Sequence, residues 1–183
     1  MYLSRHGETD WNAIGRLQGH TDIPLNDRGR TQARELARTM RAHGIGEVIT
    51  SDLARSLETG QIVAGELGLP PPRIVPELRE RRFGVFEGLT RDECVVRYPD
   101  AWAAWHAQTD VPEGAEGLAA ATARMHAVLA TLLETNALVI SHGGVMRLFL
   151  LDILGEPPPP MRNGTTYVVH HDGARFSARR LRM

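Results

Sequence analysis

The sequence predicts an α/β protein in which helices flank a mostly parallel central sheet in a three-layer sandwich. Short apolar runs typical of buried strands alternate with segments of a dozen or more residues that have helical spacing, the pattern of βαβ units. Two strand-like runs near the C-terminus are separated by Asp-Gly, which predicts a hairpin at the sheet edge. Because the chain has 183 residues and no repeat or linker, we expect a single domain over 1–183.

The first third of the chain is predicted to begin with a strand, "MYLS", and a long loop. Residues 5–29 are rich in Gly, Asn, Asp and Thr and have no sustained period, which indicates loop structure. Asn26 is a suitable cap for the helix that follows, because its side chain can accept a bond from a free first-turn amide. The apolar stripe of this helix comprises Ala33, Leu36, Ala37 and Met40.

"EVITS" then predicts a buried strand, followed by a second helix from Asp52 to near Gly68. The inward positions of this helix are predicted to be Leu53, Leu57, Ile62 and Val63. Residues 73–88 have an extended, irregular pattern.

Helical spacing returns over 91–108, interrupted at "YPD", and again from Gly117 to about Thr135. The second of these segments carries an apolar stripe of Met125, Val128, Leu129 and Leu132. "ALVIS" at 137–141 is a fully apolar strand, and the helix after it begins at Gly143. The predicted hairpin joins "TTYVVHH" to "ARFSARR".

The charge balance excludes several functional classes. A net charge of −1 gives no overall field for nucleic acid or an anionic membrane, so we expect neither as a partner. No apolar run reaches the length of a membrane span and no secretory leader is recognisable, so we expect a cytoplasmic protein. Cys94 is the only cysteine, which excludes an intrachain disulfide and argues against a cysteine metal site. Because the chain has no overall positive charge, any anionic ligand must be bound by a local cluster of cationic groups.

Three predicted strands end in polar clusters. "MYLS" ends in Arg5 and His6, "EVITS" in Ser51, Asp52 and Arg55, and "ALVIS" in His142, Gly143 and Gly144. In a parallel sheet, ligands bind outside the carboxyl ends of the strands. If the three strands are neighbours, two histidines and two arginines meet at one rim of the sheet.

These residue types suit a phosphoryl group. The planar forks of Arg5 and Arg55 can bind phosphate oxygens bidentately, and the amides of Gly143 and Gly144, at a helix start, can face an anion. A neutral histidine in such a cationic site can act as a nucleophile. The positive charges around it lower its pKa and so help to keep it unprotonated.

Several motifs in this order resemble the histidine phosphatase superfamily, in the branch that includes phosphoglycerate mutases and small broad-specificity phosphatases. The match runs from residue 3 to about residue 150. The motifs are "RHGET", Asn12, "RLQGHTDIPLNDRGRTQA", "SDLARSLET", "LRERRFGVFEGLT" and "SHGGVMR".

The resemblance implies a role for each matching residue. His6 is the expected nucleophile, and Arg5, Arg55 and His142 are expected to hold the transferred phosphoryl group. Asn12 and the amide of Gly143 are implied as further phosphate contacts. Positions where family members contact substrate are Thr9, Gln18 and Gly19.

Glu80 matches the family's general acid, which protonates the leaving oxygen. On spacing alone, the neighbouring Glu77 and Glu87 could also reach the site. "LxExxFG", with Glu80 inside it, is the pattern that favours Glu80, and Glu87 is interpreted as a hydrogen-bond acceptor within its own loop.

We expect a phosphatase that hydrolyses small phosphomonoesters, with no cofactor and no metal, because the arginines and His142 already supply the charge stabilisation that a metal ion gives in other phosphoryl transfers. A cofactor-dependent phosphoglycerate mutase is the first alternative. Mutases of the family carry lysine and paired arginines after the "FGxxEG" region, whereas this chain has only Arg91 and Arg97 there. A non-catalytic binder of phosphorylated ligands is the second alternative. In addition, "PEGAEG" stands where the family often has "PGGES".

Overall fold

The computed structural model describes residues 1–132 and 136–181 of the chain. The strands are β1 (Tyr2–Arg5), β2 (Glu47–Thr50), β3 (Arg73–Ile74), β4 (Ala137–Ser141), β5 (Thr166–His171) and β6 (Phe176–Arg180). The α-helices are α1 (Asp10–Ala13), α2 (Asp27–Met40), α3 (Ala54–Leu67), α4 (Arg91–Arg97), α5 (Pro99–Ala107), α6 (Leu118–Ala130) and α7 (Gly143–Leu154).

The six strands form one sheet in the order β3-β2-β4-β1-β5-β6. β3, β2, β4 and β1 are parallel, while β5 and β6 run antiparallel at one side. Arg5 is in register with Ser141, and Thr50 is in register with Ile140. The carboxyl ends of β2, β4 and β1 therefore lie side by side, and the predicted mostly parallel sheet with a C-terminal hairpin at its edge is confirmed.

Helices cover both faces of the sheet, which gives the three predicted layers. On one face, Leu138 and Ile140 of β4 belong to a cluster with buried residues of α2 and α3. On the other face, Val139 packs in a cluster with residues of α6 and α7, among them Met125 and Phe149. Because side chains alternate along a strand, the continuous apolar run "ALVIS" supplies both cores at once.

The predicted loop over residues 5–29 contains a short helix, α1. Thr9 caps it: its hydroxyl accepts from the Asn12 amide at 3.1 Å, and its own amide donates to the Asn12 side chain at 3.2 Å. This reciprocal capping box stabilises a single turn that has no apolar stripe, so periodicity alone does not reveal it.

The inward face of α3 differs from the prediction. Leu57 and Ile62 are half-buried, whereas the buried positions are mostly small or polar. These polar groups have partners inside the protein: the Ser56 hydroxyl donates to the Ile140 carbonyl at 2.8 Å, and the Thr59 hydroxyl accepts from the Gly7 amide at 3.0 Å. The buried residues of α3 are Arg55, Ser56, Thr59, Gly60, Val63 and Ala64.

The segment 73–88, predicted to be extended and irregular, begins with the two-residue strand β3 and continues as loops with two short 3-10 helices, Pro76–Leu78 and Gly84–Phe86. It leads into α4 and α5, which are separated near "YPD" as the sequence indicates. α5 packs on this segment through Trp102, whose ring lies 5.1 Å from that of Phe86. α6 ends at Ala130, and its predicted end near Thr135 lies outside the described residues. In the described part of the chain, no helix is both long and apolar enough to cross a membrane.

Candidate active site

The carboxyl ends of β1 and β4 bring His6 and His142 together. Their ring centroids are 5.1 Å apart, well within the separation of about 10 Å at which two imidazoles can reach one phosphate. Arg5 ends β1, and Arg55 enters from the first turn of α3. The two histidines and two arginines that follow β1, β2 and β4 in the sequence are therefore close together in the structure.

His6 is buried, with 2% of its surface exposed, rather than at the rim of the sheet. Its Nδ1 lies 2.6 Å from the Gly7 carbonyl, which only accepts hydrogen bonds, so Nδ1 carries the proton and Nε2 is left with a free lone pair. Burial, and then the charges of Arg55 and Arg5, hold the pKa of His6 well below its usual value. The imidazole is therefore neutral at neutral pH.

His142 is fully buried between the same arginines. Its Nε2 lies 2.7 Å from the Ser51 hydroxyl, and its Nδ1 has no partner within the described protein. Burial, followed by the charge of Arg55, lowers the pKa of His142 well below its usual value. Because the ring is neutral, one nitrogen donates and the other accepts.

Arg55 is 1% exposed and is held by two carbonyls: one terminal nitrogen donates to Gly19 at 2.8 Å and the other to Thr21 at 3.0 Å. Arg5 donates to the Met161 carbonyl at 2.8 Å. Burial lowers the pKa of Arg55 to about 10 and also lowers that of Arg5, which leaves both positively charged at neutral pH. The Nε atom of each has no acceptor within the described protein.

The Glu80 carboxylate lies at the N-terminus of α7. It accepts from the amides of Gly144 and Val145, both at 2.7 Å, and from the Arg81 amide at 2.9 Å. The expectation that the Gly144 amide faces an anion in the site is therefore wrong, because this amide binds Glu80. The Gly143 amide has no protein acceptor among the described residues, and Gly143 lines the cleft.

The other two acids considered for proton transfer lie elsewhere. Glu77 is exposed and is absent from the cleft that contains His6. The Glu87 carboxylate accepts four hydrogen bonds, from the amides of His20, Thr21 and Phe83 and from the Thr21 hydroxyl. It thus acts as the loop acceptor that the sequence suggested, and of the three acids only Glu80 lines the cleft.

The remaining predicted contact residues divide into two groups. Asn12, Gln18 and Gly19 line the cleft, and Gly19 has a φ of +54° that favours glycine. Thr9 is fully buried and does not line it. Since Thr9 caps α1 and bonds to Asn12, its observed contact is with another site residue and not with the cleft.

The cleft is open to solvent and has a volume of about 380 Å³. Sequence reasoning missed Arg147, although a signal was available: it lies four residues after Gly143 on α7 and so shares its helix face. The "PEGAEG" segment does not line the cleft; it packs beside residues 82–85, where the Glu113 carbonyl accepts from the Val85 amide at 3.2 Å. The lining residues not predicted as contacts are Gly15, Arg16, Leu17, Phe83, Arg91, Gly144, Arg147 and Met161.

Over residues 1–132 and 136–181, no group of three or more His, Cys, Asp or Glu side chains is arranged to hold a metal ion. Fold and site together define an α/β protein with a histidine and arginine anion site at the carboxyl edge of a parallel sheet. The chain belongs to the histidine phosphatase superfamily (branch 1), whose sequence model matches residues 1–183.

Known relatives include both mutase-like proteins and phosphatases. "Probable phosphoglycerate mutase GpmB" of Yersinia pestis is 38% identical over 168 residues, covering 86% of this chain and 75% of the relative. A mycobacterial glucosyl-3-phosphoglycerate phosphatase in complex with VO3 superposes with a TM-score of 0.82 and 27% identity, covering 98% and 96% of the two chains. A phosphoserine phosphatase mutant from Entamoeba histolytica in complex with phosphoserine has a TM-score of 0.80 and 25% identity, covering 97% and 93%.

Proposed function

We propose that this protein is a phosphomonoesterase that hydrolyses small phosphorylated metabolites through a phosphohistidine intermediate on His6. The observation that carries the proposal is the buried pair of neutral imidazoles, His6 and His142, 5.1 Å apart and flanked by Arg5 and Arg55. A neutral Nε2 with a free lone pair is a nucleophile, and the arginines attract the phosphoryl group to it.

In the first step, His6 Nε2 attacks phosphorus and forms an N–P bond while the ester P–O bond breaks. In this step Glu80 starts in its protonated form and gives that proton to the leaving oxygen, so an alcohol departs instead of an alkoxide. The Gly7 carbonyl, 2.6 Å from Nδ1, stabilises the positive charge that the ring gains.

In the second step, water attacks phosphorus and the N–P bond breaks, which returns His6 to its neutral form. Glu80, now a carboxylate, takes the proton from the attacking water. Inorganic phosphate then leaves, and the open cleft admits the water that this step requires.

Three buried donors without protein acceptors support stabilisation of the transferred group: Arg5 Nε, Arg55 Nε and His142 Nδ1. They belong to the three residues next to His6, so the equatorial phosphoryl oxygens would supply their missing acceptors. Positive charge fixed in this way can supply the stabilisation that Mg²⁺ gives in other phosphoryl transfers, and the proposed reaction therefore uses no metal ion.

Hydrolysis is proposed in preference to mutase chemistry because the segment after "FGVFEG" offers few cations. A mutase must hold its phosphorylated substrate while the substrate reorients, and it must exclude water meanwhile. Here that segment has no lysine and no paired arginines, and the cleft is open. Because some relatives are named as phosphoglycerate mutases, isomerisation is the second candidate function.

The proposal is tested by measuring phosphate release from a panel of phosphomonoesters in the presence of a metal chelator. 3-Phosphoglycerate is assayed in parallel for isomerisation. We expect phosphate release that chelation does not reduce and that vanadate inhibits. Isomerisation faster than release would identify a mutase, and binding of phosphomonoesters without any turnover would identify a non-catalytic binder.

A further inference from the structure

Asn163 contacts three parts of the active site, although it lies beyond the sequence motifs, which end near residue 150. Its side-chain amide nitrogen lies 3.0 Å from the His6 carbonyl, 3.2 Å from the Gly7 carbonyl and 3.1 Å from Asn12 Oδ1. Backbone carbonyl oxygens only accept hydrogen bonds, so the side-chain atom that faces them is the nitrogen, which donates. One side chain from the loop before β5 thus joins the backbone around the proposed nucleophile to α1.

A tight turn directly before β5 holds Asn163 at this place. The Thr165 amide donates to the Arg162 carbonyl at 3.0 Å, and Gly164 has a φ of +80°, which favours glycine at the third position of such a turn. Two more backbone bonds join the turn to the end of β1: the Gly164 amide donates to the Arg5 carbonyl at 3.1 Å, and the Arg5 amide donates to the Thr165 carbonyl at 3.0 Å. The turn therefore places the Asn163 side chain beside the active-site end of β1.

The Asn12 amide has only one orientation that satisfies its neighbours. Asn12 Oδ1 accepts from two donors, Asn163 Nδ2 at 3.1 Å and the Thr9 amide at 3.2 Å. Both bonds require an oxygen at this position, so the NH2 group of Asn12 points the other way. In the described part of the chain this NH2 group has no protein acceptor, and Asn12 lines the cleft. It is therefore available to donate to a phosphoryl oxygen.

The Gly7 backbone is held on both sides. Its amide donates to the Thr59 hydroxyl at 3.0 Å, and its carbonyl accepts from Asn163 Nδ2 at 3.2 Å and from His6 Nδ1 at 2.6 Å. The bond to this carbonyl keeps the proton of His6 on Nδ1 and leaves Nε2 free for attack. Because Asn163 holds the same carbonyl, it also helps to fix the orientation of the His6 ring.

We propose that Asn163 is a positioning residue of the phosphoryl site, which acts through Asn12 and the Gly7 carbonyl without contacting the substrate. This inference rests on the proposed phosphatase function and adds a residue to it. Asn163 does not line the cleft, and its side chain bonds to the three oxygens named above. Loss of its donor should displace two groups that face the phosphoryl group, and small displacements of such groups slow a reaction strongly.

Two substitutions of Asn163 test this role. Asn163→Ala removes the donor, whereas Asn163→Asp keeps the size of the side chain but presents an oxygen to the three acceptors. We expect both to lower kcat on p-nitrophenyl phosphate by about tenfold to a hundredfold, with a smaller change in KM. Vanadate affinity, measured by titration calorimetry, should fall about tenfold. Circular dichroism shows whether each variant is folded.

Asn136→Ala is the matched control. Asn136 Nδ2 also donates to two consecutive carbonyls, those of His43 and Gly44, at 3.2 and 2.6 Å. However, Asn136 directly precedes β4 and so lies at the opposite edge of the sheet from the cleft. This variant loses the same type of contact away from the site, so its kcat and its vanadate affinity should equal those of the wild type.

Asn12→Ala shows whether Asn163 acts through Asn12. In that background, Asn163→Ala should lower kcat by a smaller factor than it does in the wild type, because the amide that Asn163 orients is already absent. A merely structural contribution of Asn163 would give the same factor in both backgrounds. Losses that multiply in this way would overturn the proposed action through Asn12.

Wild-type kcat and vanadate affinity in a folded Asn163 variant would overturn the positioning role, as would an equal loss in Asn136→Ala. Absence of turnover of every phosphomonoester by the wild-type protein would instead overturn the proposed function. The role of Asn163 is then decided by vanadate affinity alone, which needs no turnover, so the two failures are distinguishable.

Discussion

At the scale of single residues, the site combines two histidines that burial holds neutral with two largely buried arginines that stay charged. Burial beside two arginines keeps His6 and His142 unprotonated, because their pKa values are lowered well below the usual value. The same burial lowers the pKa of Arg5 and, to about 10, that of Arg55, but both remain cationic at neutral pH. Two neutral imidazoles and two cationic guanidinium groups thus coexist in one site.

Glu80→Gln separates a role in proton transfer from a structural role. An alkyl phosphate expels a basic alkoxide that needs a proton, whereas p-nitrophenyl phosphate expels a stable phenolate. We expect kcat for glycerol phosphate to fall by about two to four orders of magnitude and kcat for the aryl substrate much less. Equal losses on the two substrates would mean that Glu80 only holds the start of α7 in place.

Ser51→Ala tests how His142 is oriented. The Ser51 oxygen accepts from the Leu53 amide at 3.4 Å, so its hydrogen is free to donate to His142 Nε2 and to leave the proton on Nδ1, facing the site. We expect about a tenfold loss in kcat and weaker vanadate binding, with partial recovery in Ser51→Thr, since one neutral hydrogen bond is worth about 1 kcal/mol. Unchanged vanadate affinity in Ser51→Ala would contradict this role.

Four site residues could be predicted from the sequence because they follow apolar, strand-like runs: Arg5, His6, Arg55 and His142. The bond between Ser51 and His142 could not be read in this way. It joins residues 91 positions apart and depends on β2 and β4 being neighbours. Similarly, the contacts of Glu80 with two amides of α7 arise only when an irregular segment folds back onto that helix.

At the scale of elements, the first turns of α3 and α7 both contribute to the site: α3 places Arg55 there, and α7 presents the amides of Gly144 and Val145 to Glu80. In α3 the first-turn residue Arg55 points inward, so its apolar residues Leu57 and Ile62 are displaced to half-buried positions. Hydrophobic periodicity assigns apolar residues to the buried face, and it fails where the buried face has polar partners.

Gly144→Ala tests the contact between α7 and Glu80. A Cβ at this position would lie 2.6 Å from Glu80 Oε1, so the carboxylate must move. We expect the rate on alkyl phosphates to fall about tenfold or more while the aryl rate changes less, as for loss of a positioned general acid.

Gly65→Ala is the matched control, because a Cβ at this position in α3 meets nothing within 4 Å. It should leave both rates unchanged and raise the free energy of unfolding by about 0.5–1 kcal/mol, the difference between glycine and alanine inside a helix. An unaltered alkyl rate in Gly144→Ala would show that the position of Glu80 does not limit catalysis.

At the scale of the whole molecule, the sheet order brings the site together. Alternation of strands and helices predicted a parallel sheet with a C-terminal hairpin, and both are present. The order β2-β4-β1 could not be derived, since β4 inserts between two strands that both lie far before it in the sequence. Such pairing is decided by long-range packing, on which local patterns carry no information.

The buried neutral histidines should also make stability depend on pH. Folded-state pKa values lowered from the usual 6.5 mean that the unfolded chain binds more protons below that pH. The free energy of unfolding is therefore expected to fall from about pH 6.5 towards pH 5, by up to about 1.4 kcal/mol per pH unit for each such histidine.

Urea unfolding at several pH values measures this slope. His20, whose pKa is also lowered by burial, contributes to it, so the informative comparison is between the wild type and a variant. His142→Gln should have a shallower slope than the wild type whatever its absolute stability. Identical slopes would mean that His142 is not held neutral by the fold.

The central claim, that phosphoryl transfer passes through His6, is tested most directly by the steady-state rate of His6→Ala on p-nitrophenyl phosphate. This substrate needs little acid catalysis, so its rate reports on the nucleophile. The account predicts a loss of about 10⁴-fold or more in a variant whose circular dichroism matches the wild type. A folded His6→Ala protein that retains the wild-type rate would contradict it.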